Sequence, residues 1–468
     1  MTVAVLCGYL ALVFGLSIWS ARRTSDAEDF YLAGGKLGWF LGGATLSATH
    51  ASAGTFIGTI GLVYTFGWSF AWLILSIPLA YWFLAAVLAP RFTRVKHLTL
   101  PSFLEERYGS TRVRATAAVV ILVAIVVYIQ AQVVAGGLIA NVVFGIDPLW
   151  GMVGFTVAMI IYTTIGGMMA VVYTDLLQLV VMFFGALLAL PFALGRVGGL
   201  GSLLERAAEV KPDVFAWDAL PVTLLLSMGL AFTLGSISTP EKLIRLYAMK
   251  DMATIRRGTL LAIVTTVTMN LAVLTLGLVS LVMFPDLRTG DLAMPTLASE
   301  VLPPFLGSLL LAAITAAMMS TVDSMLLVAS SALSQDLWER FRPDSDPRHA
   351  AWVRRIGVAC TGAAPLALLL LGVGEGELVQ LIVLLFSAMM ASCFFAPVVF
   401  GLFWKRANER GAMGAMIVGL VACVGWKVAG PAAVDPVIAG VVASSLAFVL
   451  GSLGGPVKRQ DPATRSGG

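Results

Sequence analysis

The feature that most constrains this chain is a series of apolar runs, each about 20 residues long, that recurs from one end of the sequence to the other. An α-helix of that length crosses a hydrocarbon layer about 30 Å thick. Hydrophobic residues make up 59% of the chain and charged residues only 12%, so most of its surface is not adapted to water. The strands of a transmembrane β-barrel would alternate polar and apolar residues, so these continuous apolar runs exclude a barrel. The pattern therefore predicts an all-α polytopic membrane protein.

The apolar runs, read against their glycine, proline and charged breaks, predict about thirteen transmembrane helices. The predicted helix centres are residues 11, 52, 79, 128, 159, 183, 230, 271, 320, 364, 392, 419 and 443. The longest polar stretches, 196–219 and 336–352, are too short to bury a core of their own. Residues 1–468 are therefore predicted to form one transmembrane domain, with any functional site among the helices.

Positive charge is distributed unevenly among the predicted loops. With the amino terminus outside, all but five of the 30 Lys and Arg residues fall in cytoplasmic segments, the five being Arg196, Arg206, Lys211, Arg288 and Lys427. Cytoplasmic loops carry an excess of these residues, so the bias predicts this orientation in a cell's inner membrane. An odd number of helices then places the carboxyl terminus in the cytoplasm. The first run, 3–20, lacks the basic start and the small-residue cleavage site of a secretory signal peptide. It is therefore predicted to be a transmembrane helix that is retained in the mature protein.

Several functional classes are excluded by the composition. The net charge of +4 comes from short loops without a basic tract, so no nucleic-acid partner is expected. The three histidines are scattered and the four cysteines show no CxxC spacing, which excludes a cysteine or histidine metal cluster. The spans contain no nucleophile and base pair, so the chain is not expected to be an enzyme. No protein partner is predicted; the expected partners are lipid, a small solute and an ion.

Two predicted spans contain breaks. The second span, 41–66, carries glycines and hydroxyl residues around His50, the only histidine within a span. The seventh ends in residues 233–240, where Gly235 loosens the helix and Pro240 stops it. The breaks lie five spans apart in opposite orientation, as expected of two inverted repeats whose broken helices face each other at the bilayer midplane. His50 is compatible with a solute-facing role or a structural one.

A polar cluster interrupts the ninth span at mid-depth. Within the apolar run 313–334, the interrupting residues are Ser320, Thr321, Asp323 and Ser324. Hydroxyl and carboxylate oxygens are hard ligands for a small cation, and an unwound neighbouring helix can supply carbonyl oxygens. Hydroxyls in a membrane helix also serve as contacts between helices. Four polar groups within five residues favour a cation site instead.

Two acidic residues are predicted to lie within the membrane. A carboxylate at the centre of a span costs about 2.5–3.5 kcal/mol on insertion scales, which favours a functional role for Asp323. Asp175 lies near the cytoplasmic end of its predicted span. Together the two could hold or relay a cation on its exit path. Glu241 and Arg245, just beyond Pro240, are interpreted as gate or loop ion-pair residues.

Four motifs in this sequence resemble those of the sodium:solute symporter family. They are Phe30–Gly35, Ala48–Gly58, Gly166–Asp175 and Ala317–Ser324. The similarity extends from about residue 8 to residue 452. Two further stretches, Met294–Pro304 and Trp404–Gly419, look closest to family members that carry pantothenate.

The resemblance implies a LeuT-type core of two inverted repeats of five helices (5+5), with one extra helix before it and two after. The implied boundaries are 3–20 for the leading helix, 37–195 and 220–405 for the repeats, 410–452 for the trailing helices and 453–468 for a cytoplasmic tail. The implied coupling ion is Na⁺, held by the carbonyls of Ala48, Ala51 and Ala317 and by the hydroxyls of Ser320 and Thr321.

The resemblance also implies a second cation site or exit path at Asp175, Asp323 and Ser324. Asp323 departs from the family pattern, which has a hydroxyl there, so proton participation becomes conceivable. The implied solute site comprises Thr49, His50, Ser52, Gly54, Thr55, Gln130, Gly235 and Ser236.

The predicted function is sodium-coupled symport of a small organic solute by alternating access. The amino end of a half-helix attracts anionic groups, which favours a carboxylate such as pantothenate or a monocarboxylate. Two alternatives stay open. One is proton-coupled symport through Asp323 and Asp175, and the other is sodium symport of an amino acid such as proline.

Overall fold

The computed structural model describes residues 1–21, 35–92, 99–165, 168–342, 346–374 and 376–454. Some predicted features lie outside these ranges. They are all but the last residue of Phe30–Gly35, the first two residues of Gly166–Asp175, and the predicted tail beyond residue 454.

The described residues form helices and no β-strand, and a single bridge pairs Leu37 with Met249. The α-helices are α1 (Thr2–Ala21), α2 (Trp39–His50), α3 (Thr59–Phe66), α4 (Ser76–Phe83), α5 (Ala89–Phe92), α6 (Leu100–Tyr108), α7 (Thr111–Phe144), α8 (Pro148–Ile165), α9 (Met168–Arg196), α10 (Gly199–Val210), α11 (Val222–Ser238), α12 (Pro240–Ala248), α13 (Met252–Met283), α14 (Ala293–Glu300), α15 (Pro304–Ser331), α16 (Pro347–Leu370), α17 (Val379–Phe395), α18 (Gly401–Phe403), α19 (Glu409–Ala429) and α20 (Pro436–Leu453). Short π-helical segments cover Gly54–Gly58, Leu84–Leu88, Ala332–Glu339 and Ala396–Phe400, and 3₁₀ segments cover Gly67–Leu75 and Gly290–Leu292.

Many of these helices have the length and composition of membrane spans. In the part of the chain that is described, ten helical segments are long and apolar enough to cross a bilayer, or eleven if the bent pair α11–α12 is one span. The backbone of such a helix satisfies its own polar groups, as the hydrocarbon layer requires. The chain is a multi-pass, all-helical membrane protein, as its apolar runs predict.

Two helices are broken where the sequence places its breaks. Helix α2 ends at His50, and Ala51 is extended with φ −70° and ψ 124°. Helix α11 ends at Ser238, Thr239 is extended, and α12 starts at Pro240 with its axis bent by 43°. Proline fits the first position of a helix because its missing N–H has no partner there. Both breaks therefore follow from local sequence.

Helix α15 occupies the centre of the bundle. It packs against α9, α1, α7, α16 and α2, and almost every residue from Gly307 to Ser331 is buried. A helix that is apolar all round is stable only when other helices cover every face. The polar residues at its middle are consequently enclosed by protein and not by lipid.

An ion-pair network closes the end of the bundle that the charge bias predicts to be cytoplasmic. Arg114 pairs with Glu105 at 2.9 Å and with Asp336 at 2.8 Å, and Arg340 pairs with Glu105 at 2.8 Å. Burial opposes ionisation of Glu105, but hydrogen bonds from Arg114, Arg340 and Thr111 outweigh it and lower its pKa. The network joins α6 and α7 to the segment that follows α15.

Gly67 makes the sharp turn between α3 and the 3₁₀ segment Gly67–Leu75. Its φ is +80° and its ψ is −159°, a backbone region that is nearly restricted to glycine. A Cβ atom here would lie 2.4 Å from the carbonyl oxygen of Val214. The same carbonyl accepts a hydrogen bond from the N–H of Trp68 at 2.6 Å, so it cannot move away freely.

Replacing Gly67 with alanine is therefore expected to destabilise the fold by about 1–3 kcal/mol. The matched control is Gly154→Ala in α8, where an added Cβ meets no atom within 4 Å. Thermal unfolding of the purified variants in detergent measures both effects. We expect a lower Tm for Gly67→Ala and an unchanged or higher Tm for Gly154→Ala. Equal Tm values for the two would contradict the conformational requirement at Gly67.

Candidate cation and solute site

The break after α2 lies against the middle of α15 and brings five oxygen-bearing residues together. The Ser320 hydroxyl lies 3.1 Å from the carbonyl oxygen of Ala48 and 3.1 Å from that of Ala317. The Thr321 hydroxyl donates to the carbonyl of Ala51 at 3.0 Å. All five residues are fully buried. The residues predicted to hold sodium thus converge in the structure.

The chemistry of this group suits a small monovalent cation. The carbonyls at the carboxyl end of α2 have no N–H partner within their own helix, because the helix stops at His50. The hydroxyls of Ser320 and Thr321 can rotate, so each can turn a lone pair toward an ion in place of its present hydrogen bond. Five neutral oxygens can solvate one positive charge through their dipoles, and they leave no buried anion behind when the cation departs.

The residues predicted to form a second cation site are organised around Arg245. One nitrogen of its guanidinium, Nη2, lies 3.1 Å from Asp175 Oδ2 and donates to the Ser324 hydroxyl at 2.6 Å. Its Nε donates to the Thr45 hydroxyl at 3.0 Å, and that hydroxyl in turn donates to Asp175. Arg245 is only 1% exposed. Arg245 thus forms an ion pair, as one part of its interpretation has it, but it lies in a half-helix inside the bundle and not in a loop.

Asp323 points to a different neighbour. Its Oδ1 accepts a hydrogen bond at 2.8 Å from the Thr163 hydroxyl of α8. Its Oδ2 is buried and has no hydrogen-bond partner among the described residues. Asp175 and Ser324 therefore share the Arg245 guanidinium, while Asp323 faces α8.

A cavity of about 70 Å³ lies beside the five oxygens and between the two helix breaks. Six of the residues predicted to bind solute line it, namely Thr49, His50, Ser52, Gly54, Thr55 and Ser236. The His50 ring packs edge-on against Tyr81 with a centroid distance of 6.0 Å. Residues of the α2 break therefore line the cavity at some positions and contact Ser320 and Thr321 at others.

Two residues predicted to bind solute do not line this cavity. The Gln130 side-chain amide donates to the carbonyl of Val373, outside the cavity. Gly235 packs against α17, where an added Cβ would lie 2.6 Å from the carbonyl oxygen of Ser387. In both cases the rotation of the helix turns the residue toward a neighbouring segment.

Sequence reasoning placed several polar residues outside the solute site that do line the cavity, among them Glu241, Lys242, Asn270 and Gln380. Lys242 was counted among the cytoplasmic charges, but it is only 7% exposed and donates to the Ser236 hydroxyl at 2.9 Å. One signal was available, since Glu241 and Lys242 directly follow the proline that starts a half-helix at a predicted break.

The fold is similar to that of several solved transporters. A Na⁺-coupled sialic acid symporter in a substrate-bound outward-open state matches with a TM-score of 0.83 at 22% identity, over 98% of each chain. Mhp1, a nucleobase-cation-symport-1 family transporter in a closed conformation with bromovinylhydantoin bound, matches with a TM-score of 0.56 at 14% identity, over 93% of this chain and 98% of that one. At these identities the likeness shows a shared fold, in which broken helices meet beside a buried cavity.

Sequence comparison specifies the family. The model of the sodium:solute symporter family matches residues 30–419. The sodium/pantothenate symporter of Escherichia coli (strain K12) is 30% identical, over 96% of this chain and 95% of that protein. The high-affinity proline transporter PutP of Bacillus subtilis (strain 168) is 29% identical over 89% and 90%, and the sodium/myo-inositol cotransporter 2 of Mus musculus is 29% identical over 90% and 68%. The chain belongs to the sodium:solute symporter family and is a sodium-coupled symporter, not an enzyme.

Proposed function

We propose that this chain carries a small carboxylate-bearing solute into the cell together with sodium, by alternating access. The observation that carries the proposal is the convergence of the Ser320 and Thr321 hydroxyls on the carbonyls of Ala48 and Ala51. The carbonyls of Ala48 and Ala51 belong to the break after α2, and neighbouring residues of that break line the cavity. Under this proposal the sodium ligands are Ala48, Ala51, Ala317, Ser320 and Thr321.

The geometry supports a direct coupling of ion and solute. Ala48 and Ala51 supply carbonyls to the cation side of the break, while Thr49 and Ser52 line the cavity. A sodium ion that holds the break against α15 would fix the shape of the cavity wall. Because coupling between two ligands is reciprocal, bound solute would strengthen sodium binding by the same factor.

We propose a single sodium per solute. Arg245 supplies a permanent positive charge to Asp175 and donates to Ser324, two of the three residues predicted for a second cation. A second sodium there would have to compete with the guanidinium of Arg245. That group stays positively charged and has no lone pair to offer a cation. The alternative is a proton carried by Asp323, whose Oδ2 has no hydrogen-bond partner in the described ranges. One translocated positive charge contributes about 2.3 kcal/mol per 100 mV of membrane potential.

We also propose thirteen spans in the inner membrane, with the amino terminus outside and the carboxyl terminus inside. The helices between residues 37 and 195 would form the first inverted repeat, and those between 220 and 405 the second. Residues 3–20 would form the leading helix and 410–452 the two trailing ones. This count starts from the eleven spans that include the bent pair α11–α12. It adds α8 as a twelfth span, and it divides the segment Gly54–Arg91 at Gly67 into two spans.

A carboxylate is supported by the position of α12. Its amino-terminal turn borders the cavity, and the amino end of a helix attracts negative charge. Pantothenate, monocarboxylates and proline all carry this group, and two of the relatives are named for pantothenate and proline.

Transport by the purified chain in proteoliposomes tests this function. We expect labelled pantothenate, lactate, proline or another carboxylate to accumulate when sodium is outside, and accumulation to stop when choline replaces sodium at fixed pH. A pH gradient without sodium should drive no uptake. Uptake that ignores sodium and follows the pH gradient would overturn the sodium proposal in favour of proton coupling through Asp323.

A further inference from the structure

Two consecutive residues with side chains of opposite charge line the proposed solute cavity. Glu241 and Lys242 form the first turn of α12 and are 2% and 7% exposed. No salt bridge of the described residues involves either of them. A buried charge without a partner is costly. Each of these groups therefore has the capacity to bind an opposite charge that enters the cavity.

Lys242 provides the cationic side of the cavity. Its ammonium carries three N–H donors, and one of them is directed to the Ser236 hydroxyl at 2.9 Å. Helix stability does not explain this residue, because a cation in the first turn opposes the helix dipole. The dipole and the ammonium instead add up to one electropositive corner, formed by the start of α12 and Ser236.

Glu241 and Gln380 provide the acceptor side. Glu241 Oε2 and Gln380 Oε1 are both buried, and neither has a hydrogen-bond partner among the described residues. Both residues line the cavity. An acid in the first turn stabilises a helix, but that leaves the amide oxygen of Gln380 unexplained. Two acceptors without donors, one of them negatively charged, indicate a ligand that brings N–H donors and positive charge.

We propose that the solute is zwitterionic, an amino or imino acid whose carboxylate binds Lys242 and whose ammonium binds Glu241. This rests on the proposed sodium symport through the same cavity. A sugar would bring no charge to either side chain. A simple monocarboxylate would pair with Lys242 but would also lie next to the Glu241 carboxylate and be repelled by it. A zwitterion pairs both and adds no net charge to the site.

Binding of matched analogues to the full chain in detergent, with and without sodium, tests the proposal. The probes are the twenty standard amino acids, pantothenate and myo-inositol, and, for each amino acid that binds, its deaminated acid and its amide. For proline these are cyclopentanecarboxylate and prolinamide. We expect a zwitterion to bind about tenfold or more tightly than either analogue that keeps a single charge. Pantothenate, a monocarboxylate or inositol binding as tightly as every zwitterion would overturn the proposal.

Charge-neutral variants separate recognition from a structural role. In Lys242→Gln the zwitterion should lose its advantage over the amide, and in Glu241→Gln it should lose its advantage over the deaminated acid. A merely structural role would weaken all analogues alike, and that result would count against the proposal. The matched controls are Lys250→Gln and Glu300→Gln at exposed positions, which should bind as the unchanged chain does.

The two proposals fail in different ways. If a zwitterion binds equally well with and without sodium, sodium symport is contradicted while the zwitterion inference is supported. If sodium strengthens the binding of pantothenate or inositol alone, sodium symport stands and the zwitterion inference is wrong.

Discussion

Replacing Ser320 and Thr321 together with alanine is expected to raise strongly the sodium concentration that uptake requires, while the protein still folds. The double variant removes two of the five oxygens that face the break after α2. The Ala48 and Ala51 carbonyls keep their positions at the end of α2 but lose the opposite half of the coordination shell. We expect the sodium concentration for half-maximal uptake to rise by about 30- to 150-fold, because two oxygens are lost and each is worth about 1–1.5 kcal/mol.

The matched control changes two hydroxyls of the same helix that bond only within it. Thr315 donates to the carbonyl of Leu311 at 2.9 Å, and Ser331 to that of Val328 at 2.8 Å. The Thr315→Ala, Ser331→Ala variant should keep the sodium dependence of the unchanged chain. Thr321→Ser, which keeps the oxygen, should retain most of the uptake. Equal sodium dependence in the Ser320, Thr321 double variant and the unchanged chain would show that this group of oxygens does not bind the coupling ion.

Replacing Arg245 with methionine is expected to cost about 3–5 kcal/mol of stability, because it leaves Asp175 charged, buried and without a counter-charge. Asp175→Asn alone should also destabilise, since it leaves the guanidinium of Arg245 without its anion. The double variant Arg245→Met, Asp175→Asn removes both charges and should recover much of the loss. Tm and the yield of monodisperse protein in detergent measure all three variants.

The control for this series is Arg196→Met at the end of α9, where the arginine is exposed. It should leave Tm unchanged. A second measurement tests the sodium count. If Arg245 occupies the place of a second cation, the unchanged chain should show a Hill coefficient near one for sodium. An Arg245→Met protein as stable as the unchanged chain would contradict the role of the ion pair.

Local sequence determined which stretches cross the membrane and where the helices break. Apolar runs predict spans because each run alone satisfies the hydrocarbon layer. The breaks at Ala51 and Thr239 follow from nearby glycine, hydroxyl and proline residues. The four hydroxyl and acidic positions of α15 are visible in the same way, because a polar group in an apolar run is costly wherever its partner lies.

The partners of those polar groups were decided only by the tertiary structure. Ser320 meets a carbonyl that lies 272 residues earlier in the chain. Arg245 and Lys242 belong to one short half-helix, yet one binds Asp175 and the other faces the cavity. Gln130 and Gly235 do not line the cavity, because their helices present other faces to it.

The physical reason is that hydrophobicity is a property of a segment, whereas the direction of a side chain depends on helix rotation. Neighbouring positions on a helix point about 100° apart, so a small rotation exchanges a cavity residue for a buried contact. Packing against several helices sets that rotation, and those helices come from distant parts of the chain. The sequence by itself therefore determined the membrane class, the breaks and the family. The tertiary structure decided which charges meet each other and which line the cavity.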